Sequence, residues 1–179
     1  MTDSAKKERF QVLLSANLNS AFNLACWLTR SHQDAEDVVQ EACLRAFRYF
    51  DGFHGDDPRA WLLAIVRNTF FTWHSEKRMQ AHDTQFDEEH HSQENGSATQ
   101  GDTDPEALLM HKEDGRLVRQ ALERLPLAYR EVIVLREFED LSYKQIAGIV
   151  DIPIGTVMSR LGRGRKMLAT MLTAPSRGK

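Results

Sequence analysis

Four cations near the end of the chain, Arg160, Arg163, Arg165 and Lys166, line the outer face of a helical run whose core side carries Val157, Leu161 and Leu168. Cations fixed along one helix hold phosphates. The backbone amides at Gly155 and Thr156, at the start of that run, offer a further phosphate site. A second set lies mid-chain. Trp61, Ala64, Asn68 and Phe71 recur at i, i+3, i+7 and i+10, with Arg59, Arg67, Lys77 and Arg78 nearby. Aromatics beside an amide and cations can stack unpaired bases and hydrogen-bond one base edge. Aromatic stripes at helical spacing also arise from packing, and the residues alone favour that reading for Trp61 and Phe71. His82, His90, His91 and His111 sit near carboxylates, yet without ordered ligand spacing or a nucleophile motif. Metal site, cofactor and catalytic residue are therefore all expected to be absent. Cys26 and Cys43 are isolated and read as buried reduced thiols.

Helices must hold these side chains. LSYKQIAGIVDIPIGTVMSRLGRGRKML, residues 141–168, reads as two helices joined by a tight turn. Ser142 is an N-cap, and Gln145 completes a capping box. Ile146, Ala147, Ile149 and Val150 form an apolar face before Asp151-Ile152-Pro153 ends the helix. This is the helix-turn-helix layout, in which the second helix enters the major groove of duplex DNA. Upstream, a helix over about 8–30 places Leu14, Leu18, Ala21, Ala25 and Leu28 on one stripe. Ser31 caps a second helix that buries Ala35, Val38, Val39, Ala42, Cys43 and Ala46. After the loop DGFHGD, residues 51–56, Asp57-Pro58 opens a third with Leu62, Ile65, Val66, Thr69, Phe70 and Trp73 inside.

The formal net charge of −3 conceals a division along the chain. Residues 1–79 hold 10 Lys/Arg and 10 Asp/Glu, residues 80–115 hold 1 and 10, and residues 116–179 hold 12 and 6. Only the last part can follow a phosphate backbone. The acidic middle is too polar to offset its ordering entropy, which predicts a disordered linker. The expected fold class is all-α: a three-helix domain at 1–79 and a helix-turn-helix domain at 116–179, joined by a flexible acidic linker at 80–115. That linker would average about 30–35 Å as a coil and reach ~120 Å at full stretch. No apolar run approaches the roughly 20 residues of a membrane span, and MTDSAKKERF lacks a signal-peptide core. A cytoplasmic location without membrane insertion is expected.

Two segments carry a family resemblance. HQDAEDVVQEACLRAFRYFDGFHGDDPRAWLLAIVRNTFFTWHSEKR, residues 32–78, resembles region 2 of bacterial sigma factors. LERLPLAYREVIVLREFEDLSYKQIAGIVDIPIGTVMSRLGRGRKML, residues 122–168, resembles their region 4. With nothing but the acidic linker between, the chain is similar to the extracytoplasmic-function (ECF) group of the sigma-70 family. Either motif alone is moderately specific; their order on one short chain is highly so.

The resemblance implies a transcription initiation factor that confers promoter choice on core RNA polymerase and is not itself an enzyme. It implies docking on the clamp helices of the largest polymerase subunit through Asp34, Asp37, Gln40, Glu41 and Leu44, with the flap as a second contact. It further implies capture of a flipped −10 base by Phe53, His54, Asp56, Trp61, Arg67 and Asn68, stacking being worth about 1–3 kcal/mol per base. Duplex −35 recognition falls to Thr156, Ser159, Arg160, Arg163, Arg165 and Lys166. Met158 stands where the family often has a cation, so an apolar contact to a thymine methyl replaces a charged one. Gly162 and Gly164 each cost about 1 kcal/mol of helix stability relative to Ala. Promoter DNA, core polymerase and an anti-sigma factor, membrane-bound in many members, are the implied partners. The linker's acids are expected to attract region 4, so that the free protein is compact and binds DNA poorly. One rival reading is a duplex-binding helix-turn-helix regulator that acts without polymerase. The other is a metal-dependent hydrolase built on the histidines.

Overall fold

The computed structural model describes residues 3–83 and 105–174, with side chains described from 3 to 81 and from 112 to 174. Among the described residues there are seven α-helices and no strand, as the all-α reading requires. The first module consists of α1 (Asp3–Thr29), α2 (His32–Tyr49), a single 3-10 turn (Phe50–Gly52) and α3 (Pro58–Asp83). The Ser31 hydroxyl accepts the Asp34 amide and starts α2, and Asp57 Oδ1 accepts the Ala60 amide at 2.9 Å to start α3. Both starts were legible from composition, because short polar side chains satisfy the orphan amides of a first turn.

Small residues bring the three helices close. Ala21, Ala25, Ala35, Ala42 and Ala46 are fully buried, and Leu24, Val38, Leu62, Val66 and Phe70 fill the space between them. One detail of the sequence reading is corrected. Leu18 is 40% exposed, and the buried stripe of α1 runs instead through Phe10, Asn17, Ala21, Leu24 and Leu28. Phe10 makes edge contacts with Phe47 and Phe50 at 5.2 and 5.3 Å, and these fix the rotation of α1. Asn17 is tolerated inside because its amide donates to the Leu13 carbonyl.

The second module holds α4 (Pro105–Arg124), α5 (Leu127–Ile133), a π-turn that continues it (Val134–Phe138), α6 (Tyr143–Val150) and α7 (Ile154–Thr173). The Ser142–Gln145 capping box is formed in both directions. Asp151 closes α6 in the left-handed region, with φ of 57°. Gly164 is buried against α5, where a Cβ would stand 2.6 Å from Ile133 Cδ1. Its small size permits a close helix crossing. Gly162 faces open space.

Helix occupies both ends of the stretch read as linker. α3 runs to Asp83, and α4 begins at Pro105, a proline suited to a first helical position. Positions 84–104, with His90 and His91, lie outside the described residues, as do the side chains of His82 and His111. The two modules touch. α1 and α3 of the first pack against α5, α6 and the π-turn of the second.

Candidate nucleic-acid interface and docking face

α2 turns Asp37, Gln40, Glu41 and Leu44 outward along one stripe. Leu44 is 56% exposed, an apolar point in an acidic face, which is a composition suited to a protein partner. Glu41 is paired with Arg45 at 2.9 Å. Asp34 is half-buried and lies 3.4 Å from Lys77 of α3.

The loop before α3 folds its aromatic ring back. Phe53 stacks on Trp61 with centroids 4.5 Å apart, and Gly55 lies so close that a Cβ there would meet the Phe53 ring at 2.9 Å. His54, Asp56 and Asn68 are exposed, and Trp61 is half-buried. Trp61 therefore packs against Phe53 while part of it stays in solvent. Arg67 turns elsewhere. Its guanidinium lies over the Phe71 ring at 4.5 Å and donates twice to Glu131, at 2.7 and 3.2 Å.

On α7, Val157 and Leu161 are buried, while Ser159, Arg163, Arg165 and Lys166 are exposed. Arg165 donates to Glu137 at 2.6 Å, and that bond raises its pKa above the ordinary arginine value. Arg160 lies 3.8 Å from Glu131. The Thr156 amide differs from the sequence reading, because it donates to the Pro153 carbonyl inside the first turn. Ile154 and Met158, one turn apart, are 45% and 54% exposed and add an apolar strip to the basic face.

Sequence reasoning missed the contacts that join the modules. Arg59 donates to Glu139 at 2.5 Å, Asn23 donates to the other Glu139 oxygen at 2.7 Å, and Gln145 donates to Asp57 at 2.5 Å. Partners here lie 80, 116 and 88 positions apart, and a local pattern carries no signal over such distances. Among the described residues no group of His, Cys, Asp and Glu could hold a metal, and no helix is long and apolar enough to cross a membrane. Cys26 and Cys43 are free and half-buried. Burial raises the pKa of both thiols.

An acidic helix face, an aromatic loop and a basic helix-turn-helix on one all-α chain are the features of a two-module nucleic-acid-binding protein. The comparisons narrow the class. Residues 13–79 match Sigma-70 region 2, and residues 115–168 match Sigma-70, region 4. The ECF RNA polymerase sigma-E factor of Escherichia coli K12 is 37% identical over 137 residues, covering 75% of this chain and 72% of that one. The sigma-E factor of Haemophilus influenzae is 34% identical over 166 residues, covering 90% and 86%. Among solved structures, the sigma factor RpoE of Bartonella quintana, in complex with the anti-sigma factor NepR, has a TM-score of 0.77 and 29% identity over 94% of this chain and 99% of that one. CnrH, solved with the cytosolic domain of CnrY, shares the fold at a TM-score of 0.62. The chain belongs to the ECF sigma factors of the sigma-70 family.

Proposed function

We propose that this sigma factor docks on core polymerase through the α2 face of Asp37, Gln40, Glu41 and Leu44, with Asp34 at its edge. The first module then captures an unpaired −10 base with Phe53, His54, Asp56, Trp61, Arg67 and Asn68. The second reads the −35 duplex with Thr156, Ser159, Arg160, Arg163, Arg165 and Lys166. It has no catalysis of its own: binding the opened strand better than the duplex draws the DNA open. The observation that carries this reading is the exposed Asn68, one helix away from the exposed acidic stripe of α2. A polymerase-docking surface and a base-reading amide thus share one rigid three-helix unit. An anti-sigma factor is the expected regulator, since a similar protein was solved bound to one.

Run-off transcription with purified bacterial core polymerase and DNA from upstream of the protein's own gene tests the assignment. Transcripts should require this protein. Leu44→Glu should abolish them by removing docking, while Asn68→Ala and Arg163→Ala should each lower them several-fold. Stable polymerase-independent promoter binding without transcripts would instead point to a duplex-binding regulator.

A further inference from the structure

We infer that Lys6 is a positioning residue for base capture: from the opening of α1 it holds the loop 51–56 in the conformation that receives an unpaired −10 base. The inference rests on the assignment of that loop to −10 capture. Lys6 Nζ donates to Asp51 Oδ2 at 2.6 Å, across 45 positions of sequence. Its side chain is 17% exposed, and its ammonium lies over the Phe47 ring at 4.7 Å. Lys7, next in the chain, shows the ordinary alternative. It is 64% exposed and pairs one turn back with Asp3 at 2.7 Å. A lysine in the opening turns of a helix usually stays in water, because ordering its long side chain costs rotamer entropy. Lys6 is drawn inward by a ring at the end of α2 and a carboxylate in the turn that follows it.

The contact sits at the root of the candidate capture loop. Asp51 lies inside the 3-10 turn Phe50–Gly52, and the Phe53 amide closes that turn on the Phe50 carbonyl at 3.1 Å. Phe53 then stacks on Trp61, with His54 and Asp56 exposed beyond it. Phe50 itself lies 6.4 Å from Trp61. On the α1 side, Arg9 stands over the Phe50 ring at 5.8 Å, and Phe10 meets Phe47 and Phe50 edge-on. The opening of α1 is thus connected through Phe50 and Asp51 to both rings of the aromatic platform. Lys6, Arg9 and Phe10 all precede the stretch that matches Sigma-70 region 2. Phe10 supplies apolar packing, which has no direction of its own. The charge-assisted bond from Lys6 fixes one carboxylate, and with it the backbone of the turn. Base capture depends on such placement, because binding groups act only when their supports hold them in productive geometry. A pair whose acid is 59% exposed adds little to folding stability, so its loss should show in the loop before it shows in a thermal melt.

The test uses the full-length chain with core polymerase, transcribing promoters that carry each of the four bases in turn at every −10 and −35 position. Lys6→Met keeps the aliphatic stem over Phe47 and loses the charge. It should reduce the base preference at one −10 position several-fold, while −35 preferences stay as in the parent. Lys6→Arg should retain the −10 preference. Asp51→Asn should lose as much as Lys6→Met, although removing an acid beside a polyanion would by charge alone strengthen binding. The double variant should lose no more than either single one. Lys7→Met removes the same charge one residue away and should change neither preference. An undiminished −10 preference in Lys6→Met and Asp51→Asn would overturn the proposal. Equal losses at −10 and −35 would also overturn it, since they would mark a general loss of structure. A parent that gives transcripts without any −10 base preference would instead remove the loop from base capture, and the role of Lys6 with it.

Discussion

Asn68 and Arg67 are neighbours in sequence and opposites in circumstance. Asn68 is exposed, so Asn68→Ala should change folding stability by no more than about 0.5 kcal/mol in urea titration while lowering promoter use. Arg67 is engaged with Glu131 and Phe71, so its substitution mixes folding with any DNA effect. The sequence marked both as cations or amides beside aromatics, and could not tell which was free, because Glu131 lies 64 positions away. Met158 gives a cleaner test of base reading. With Ile154 it forms an exposed apolar strip on α7, for which a thymine methyl would be the matching partner. Replacing each −35 thymine by deoxyuridine should weaken binding of the polymerase complex several-fold at one position, and Met158→Ala should erase the difference. Equal binding to thymine and uracil throughout would remove Met158 from the readout. The two thiols, raised in pKa by burial, should react with iodoacetamide at pH 8 several-fold more slowly than a free cysteine, since the thiolate is the nucleophile.

The helices themselves were largely legible. Ser31, Asp57 and Ser142 each cap the helix that composition assigned to them, because capping is a local matter of one side chain and one turn. What depended on neighbours was missed. The rotation of α1 was set by Phe10 between Phe47 and Phe50, and α4 extended into a stretch whose acidity suggested coil. Gly162 and Gly164 looked alike as helix-weakening residues, yet packing separates them. Gly162→Ala meets open space and should stabilise the second module by up to about 1 kcal/mol. Gly164→Ala drives a methyl into Ile133, which is itself 2% exposed and hemmed in. It should lower the thermal midpoint, and overpacking of this kind typically costs about 1–3 kcal/mol. Thermal melts of the pair settle the contrast, and a shift of the same sign in both would contradict the packing account.

At the scale of the molecule, function requires two modules to meet two DNA elements about 50–60 Å apart, at ~3.4 Å per base pair. Positions 84–104 lie between the end of α3 at Asp83 and the start of α4 at Pro105. Their upper reach is about 70 Å at ~3.4 Å per residue, enough to cover that distance with little to spare. Deleting about half of them should abolish the contribution of the −35 element while leaving polymerase binding intact, as measured by transcription on promoters with and without that element. The most direct test of the whole account is permanganate reactivity of thymines around the −10 element in complexes of core polymerase with this protein. Reactive thymines should appear only when both proteins are present, without nucleotide hydrolysis, and should fade several-fold with Asn68→Ala. Stable complexes whose −10 thymines stay protected would contradict it, because the first module would then bind without opening the strand.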